Sequence, residues 1–307
     1  MYSPSQAPNQ TPNRTLSPAP NQASSQTLSP APSQTLSQTL SQAIAKSFII
    51  AHREDTQALA QFLTQEHLNP EVCRQTPASH LADASPSYRC LLNHRSAWEK
   101  ILDLDRPALI IEADFVPVRG IGQLPLPCPL DQPDTGVAWL YTCAPQIYTV
   151  SPQNYAEGFS ASTVAYIVTP IAAKYLISLA DRIHSNYGPQ QYTTWDTQIE
   201  ETLRKAGLKN YVAFRNYGEH GGHPNPEHRN HGLSTAHRAD ILYGRLAFRP
   251  PYAQNALDLL LTRSKARLKG LLRLFSGRYL RFPILRSSSV PLRLLRFALQ
   301  RQFTLNL

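Results

Sequence analysis

The chain has 307 residues, enough for one α/β domain of ~200 residues with tails on either side. Its 30 Lys+Arg against 21 Asp+Glu leave a formal charge of +9, which favours anionic partners: a nucleotide, a phospholipid surface or nucleic acid. Four cysteines without a CxxC pair exclude a disulfide scaffold. No apolar run reaches the ~18–20 residues of a membrane span and no leader pattern opens the chain, so a cytoplasmic location is expected.

Residues 1–45 repeat Ser, Pro, Gln, Thr, Asn and Ala (QTLSPAPSQ, QTLSQTLSQ) with almost no charge. Such a segment buries too little apolar surface to offset chain entropy, which predicts a disordered tail. The expected folded domain covers 46–255. Phe48-Ile49-Ile50-Ala51 reads as a buried strand, followed by a helix that carries Leu59, Phe62 and Leu63 on one face. Residues 76–87 read as loop. Leu91, His94, Trp98 and Ile101 recur at helical spacing. Ala108-Leu109-Ile110-Ile111 is a continuous apolar strand of the parallel-sheet kind, running into Glu112-Ala113-Asp114. Val137–Tyr141 and Val164–Val168 are further strands. Pro170 opens a helix to Ala180, and a later helix carries Ile199, Leu203 and Leu208. Strands alternating with helices indicate an α/β fold with a mainly parallel central sheet.

Glu112 and Asp114 are two apart, so strand geometry points both to one side where the apolar strand ends. Ligands of open α/β sheets bind beyond such strand ends. Hard oxygen ligands suit Mn²⁺ or Mg²⁺, which bridges to a diphosphate. The bland alternative is that strand ends are acidic because they meet solvent. Asp196 sits in a helix first turn, where the dipole favours negative charge, and Thr193 precedes it at capping-box spacing. Glu200 lies one turn further on. Residues 216–238 hold five histidines among glycines and prolines: His220, His223, His228, His231 and His237. This stretch is either a solvated polar loop or a lid hinged at Gly221-Gly222, with a histidine near the metal and Arg229 or Arg238 on the diphosphate. From residue 256 to 307 a basic amphipathic helical tail is expected. Leu292, Leu295 and Leu299 share a face, and Arg263 to Arg301 contains no acid. Such a tail is either an anionic-membrane anchor or a docked helix with a solvated face. No nucleic-acid module is present, so nucleic acid is not expected as a partner.

The stretch Tyr88–Val118 resembles the lipopolysaccharide glycosyltransferases of family 25. Those enzymes carry Gly-Cys-x-x-Ser-His, a tryptophan-bearing helix and an apolar strand ending in Glu-Asp-Asp. Here Cys90, His94, Trp98, Glu112 and Asp114 stand at the matching places, while Arg89, Asn93 and Ala113 depart from the pattern. Weaker matches are Phe48–Arg53, Ser162–Tyr166 and Asp196, so the likeness covers roughly residues 47–215. The resemblance implies a single GT-A-like, nucleotide-sugar-binding domain. It implies a hexosyltransferase that takes a UDP-linked donor to a saccharide or glycolipid acceptor in lipopolysaccharide or surface-glycan synthesis. It places Glu112 and Asp114 on the metal and Arg53 and His94 toward the donor, to which the lid reading of the loop adds Arg229 or Arg238. Asp196, with Glu200 as substitute, becomes the base that takes the acceptor proton. His94 also has a plainer reading as a core histidine that holds its helix against the acidic strand. A rival of another class is a non-catalytic transferase fold that only binds nucleotide or saccharide, with Ala113 marking lost activity. A third is an adaptor acting through its tail on anionic membranes.

Overall fold

The structure, a computed structural model, describes residues 38–74, 81–223, 230–232 and 237–303. Most of the low-complexity segment lies outside the described residues. Its last part is folded: α1 (Leu40–Ala43) buries Leu40 and Ala43 ahead of the first strand.

Eight strands form the central sheet. They are β1 (Lys46–Ala51), β2 (Pro70–Arg74), β3 (Ala108–Glu112), β5 (Thr135–Trp139), β6 (Gln146–Val150), β7 (Ala156–Phe159), β8 (Ala165–Val168) and β9 (Lys209–Val212). Their order is β2-β1-β3-β8-β5-β9-β7-β6. Pairing is parallel in β2-β1, β1-β3 and β5-β9 and antiparallel elsewhere, so β8 and β7 run against the other strands. The sheet is therefore mixed, with most strands pointing one way. A separate ribbon pairs β4 (Phe115–Pro117) with β10 (Gly218–His220). Its first strand begins three residues after β3 ends.

The apolar runs read from sequence are strands because both sheet faces are covered. Alternate residues feed opposite sides. Phe48, Ile50, Ile110, Trp139, Tyr166 and Val168 enter one core with α3 (Pro86–Ile101), α4 (Pro170–Tyr187) and α5 (Ile199–Lys205). Ile49, Leu109, Ile111, Ala138 and Ile167 enter the other with α2 (Gln57–Gln65). Helix starts are capped by local chemistry. Ser85 accepts from the Tyr88 amide (3.1 Å) ahead of Pro86, and Thr169 accepts from the Ala172 amide (3.2 Å) ahead of Pro170. Each such cap is worth about 1 kcal/mol.

The C-terminal helices are α6 (Ala256–Phe275), α7 (Phe282–Ser287) and α8 (Pro291–Phe303). The face of α8 that carries Leu292, Leu295 and Leu299 is the exposed one. The face with Leu294, Phe297 and Ala298 is buried in the same core as α3 and α4. Below it Arg301 reaches Asp240, which also accepts from Gln302 Nε2 (2.8 Å), Asn216 Nδ2 (3.1 Å) and the Ile241 amide (2.9 Å). Helix α6 comes close to this hub: a Cβ on Gly270 would lie 2.6 Å from the Asp240 Cβ, so only glycine fits there. Among the described residues, no helix is long and apolar enough to cross a membrane.

Candidate active site

Glu112 and Asp114 do converge, although strand alternation is not the cause. Strand β3 stops at Glu112, and Asp114 stands in the turn that leads into β4. Both carboxylates line a cavity of about 510 Å³ with Ala51, His52, Glu54, Cys90 and Asn93. This cavity lies off the C-terminal ends of β1 and β3, as open α/β sheets predict.

Glu112 is built into its place from behind. Thr163 Oγ1 donates to Glu112 Oε1 at 2.6 Å, and His94 Nε2 stands 3.4 Å from the same oxygen. His94 is fully buried, with Nδ1 2.9 Å from the Tyr166 hydroxyl, which also accepts from Trp98 Nε1 at 2.9 Å. The simplest assignment gives the Tyr166 proton to Nδ1 and turns the histidine's Nε2–H toward Glu112. Burial pushes the Glu112 carboxyl up, but the neighbouring His94 ring, the Thr163 hydroxyl and His220 outweigh it and hold it below its ordinary range. It is therefore a carboxylate at neutral pH. Among the described residues its Oε2 has no hydrogen-bond partner.

Asp114 is held by the β10 ribbon. His220 Nε2 is 3.0 Å from Oδ2, and Oδ1 is buried with no hydrogen-bond partner among the described residues. Burial lowers the His220 pKa and Asp114 and Glu112 raise it; the net shift is upward. The Gly221 amide donates to the Asp114 carbonyl at 2.8 Å. A Cβ on Gly222 would stand 2.2 Å from Asp114 Oδ2. The glycine pair therefore lets the backbone close on the carboxylate. Ala113 packs against the second core and donates its amide to the Ile50 carbonyl (2.9 Å), so the missing middle acid leaves the outer pair in place.

An unsatisfied buried carboxylate oxygen beside a second ionised carboxylate suits a hard divalent cation, and Mn²⁺ or Mg²⁺ fits this donor set. Cys90 Sγ and a His94 ring nitrogen also lie within 4.8 Å of Glu112. The sulfur would be a poor ligand for such a cation, which leaves the carboxylates as its holders.

No family model matches the chain, and no curated protein does. Among solved structures, the chain is similar to the crystal structure of a glycosyltransferase involved in the glycosylation of the major capsid of PBCV-1. The two are 11% identical, with a TM-score of 0.35, over 54% of this chain and 81% of that one.

The other predicted residues fall in several places. His94 supports Glu112 and is not on the cavity wall. Arg53 is exposed in the loop after β1, whose neighbours His52 and Glu54 line the cavity. Arg238 stands on the wall of a second cavity, where His220, His237 and Gly222 carbonyls accept its protons at 2.9–3.0 Å and Tyr252 stacks under it at 3.9 Å. Arg229 and His228 lie outside the described residues. Asp196 is half-buried in a 3-10 turn (Trp195–Gln198) and is not among the described residues that line either cavity. The capping box expected from Thr193 is not formed, because Thr194 takes the N-cap position. Glu200 lines neither cavity, and its Oε1 accepts from Arg204 Nε at 3.0 Å. That pairing occupies the carboxylate proposed as a substitute base.

Sequence reasoning assigned no role to Thr163 or Tyr166, although both lie in the segment that resembles the family. It also missed β10, because three residues within a His- and Gly-rich stretch show no strand periodicity.

Proposed function

We propose that this chain is a metal-assisted glycosyltransferase that moves a hexose from a UDP-linked donor to a saccharide acceptor of lipopolysaccharide or another surface glycan. One observation carries the reading: two carboxylates, one with an unpartnered buried oxygen, meet in a cavity beyond the ends of β1 and β3. The strongest of the family-25-like motifs, Tyr88–Val118, contains these same residues, and the resemblance supplies the choice of a GT-A-like domain and of the donor class.

Glu112 and Asp114 would hold Mn²⁺ or Mg²⁺. When bound, such a cation neutralises charge on the departing diphosphate. The protein's own part is to keep Glu112 ionised and both carboxylates still. Thr163 and His94 fix Glu112. His220 and the Gly221-Gly222 backbone fix Asp114. Asp196 takes the proton of the acceptor hydroxyl as its oxygen bonds to the sugar carbon and the bond from that carbon to the diphosphate breaks. Arg53, exposed in the loop after β1, would contact the nucleotide.

The acceptor reading extends to a membrane surface. Leu257, Leu261, Leu268, Leu272 and Phe275 lie exposed along α6, with Leu292, Leu295 and Leu299 exposed on α8. With the adjoining Lys and Arg residues they form a face suited to an anionic bilayer, which would bring a glycolipid acceptor to the protein at the inner side of a membrane.

Calorimetric titration of UDP-hexoses with and without Mn²⁺ tests the core of the reading. Wild type should bind one of them in a metal-dependent way, and Asp114→Ala should weaken that binding at least tenfold with an unchanged melting curve. Equal affinity in the variant would sink the metal-site assignment.

A further inference from the structure

A second cavity, of about 490 Å³, adjoins the carboxylate cavity, and His223 lines both. The electrostatic character of the two is opposite. The second is lined by Arg238, Lys265, Lys269 and Arg273 with Cys143 and His237, and among the described residues no carboxylate lines it.

Helix α6 sorts its cations by direction. Those facing the fold have partners: Arg263 meets Glu219, and Arg267 Nη1 donates to Gln302 Oε1 at 3.0 Å. Those facing the cavity do not. Lys265, Lys269 and Arg273 stand at i, i+4 and i+8, where like charges repel along one helix face. Among the described residues, none of these three, nor Arg238, takes part in an ion pair. Arg238 is moreover fixed by three carbonyls and by the Tyr252 ring, so its guanidinium is held at the cavity wall before any ligand arrives. A cation preorganised in this way binds an anion with little further ordering.

The geometry points to an anionic saccharide as the acceptor, one that carries phosphate or carboxylate groups along the α6 face of this cavity. The inference rests on the glycosyltransferase reading and specifies its acceptor. Eight residues of helix rise roughly 12 Å, so the three cations form a row longer than a single phosphate. A row of that length suits an extended chain with more than one anionic group. Cys143 stands on this wall as well. The thiol itself is not the reactive group: burial, the largest influence, and the charges of Asp196 and Asp240 outweigh Lys269 and Arg273 and push Cys143 up to about 11, so it stays protonated.

The probes are trigalacturonate, an anionic trisaccharide, and maltotriose, a neutral one of equal length. Each is titrated into the full chain in the presence of Mn²⁺ and UDP. Trigalacturonate should bind at least tenfold more tightly than maltotriose, and the difference should shrink as salt is raised. Lys265→Ala/Lys269→Ala, two exposed positions, should weaken trigalacturonate at least tenfold and leave UDP-hexose affinity and the melting temperature unchanged. Equal binding of the two sugars, or trigalacturonate binding untouched by the double variant, overturns the inference. Loss of UDP-hexose affinity in that variant also overturns it, since the cavity would then hold the donor diphosphate. A third arm measures co-sedimentation with phosphatidylglycerol vesicles. If the variant loses vesicle binding but keeps trigalacturonate binding, the cations serve a lipid headgroup, and the inference is again overturned. Failure of the function reading looks different: Asp114→Ala would then leave donor binding intact whatever the acceptor probes show.

Discussion

Asp240→Asn isolates the contact that fastens the last helix to the domain. Asp240 and Arg301 are both buried, and the carboxylate accepts from both terminal guanidinium nitrogens, from Gln302, from Asn216 and from the Ile241 amide. Burial alone would raise the Asp240 carboxyl pKa. The Arg301 charge and hydrogen bonds outweigh it, with Gln302 and the Ile241 amide, and hold it well below the usual carboxylate range. An amide in its place leaves Arg301 as an uncompensated buried charge and turns an NH₂ toward donors. Breaking a buried pair in this way costs about 3–5 kcal/mol. At ~2–4 °C per kcal/mol for a domain of this size, the melting temperature should fall by roughly 6–20 °C. The sign of the pH dependence follows from the depressed pKa. The contribution is complete above the unfolded carboxyl pKa of ~3.9 and is lost as pH falls through the folded value. Wild type and variant should therefore differ fully at pH 7 and converge as the solution is acidified below about pH 4. Urea unfolding followed by circular dichroism at pH 7, 5 and 3 measures both. A difference under 1 kcal/mol at pH 7, or one that persists unchanged at pH 3, would refute the reasoning.

Gly222→Ala would place a methyl group 2.2 Å from Asp114 Oδ2, so Mn²⁺-dependent UDP-hexose affinity should fall at least tenfold by calorimetry, whereas a hinge role would change turnover and spare affinity. Tyr166→Phe leaves Trp98 Nε1 and His94 Nδ1 buried without their shared partner, at about 1–3 kcal/mol for each unsatisfied group, measurable by urea unfolding. Removal of residues 256–307 deletes Leu294, Phe297 and Ala298 from the core, so the truncated chain should lose its cooperative thermal transition and not merely its affinity for vesicles. Leu261→Glu/Leu268→Glu, two exposed positions, should reduce binding to phosphatidylglycerol vesicles in a co-sedimentation assay without lowering the melting temperature.

Several elements were legible in the sequence because their signal is local. The continuous apolar runs at Phe48–Ala51 and Ala108–Ile111 become β1 and β3, and the 3.6-residue spacing of Leu91, His94, Trp98 and Ile101 becomes the buried face of α3. Proline after Ser or Thr fixes the starts of α3 and α4 through caps that need only neighbouring residues. The acidic pair at the end of β3 was also visible, since a run of apolar residues meeting two acids is rare enough to notice. Strands β6, β7, β9 and β10 were not, because their burial comes from neighbours far along the chain and their own patterns are short and mixed.

Composition and local periodicity thus determined the α/β class, the low-complexity start and the basic leucine-rich end. Only the tertiary structure decided which face of α8 is core, since Leu292, Leu295, Leu299 and Leu294, Phe297, Ala298 are both credible apolar stripes until something packs on one of them. It also decided which charges have partners. Glu112 with His94 and Thr163, Asp114 with His220, and Asp240 with Arg301 are pairs separated by 18 to 106 residues. The physical reason is that charge pairing and burial are properties of distance in space, and a sequence records distance along the chain.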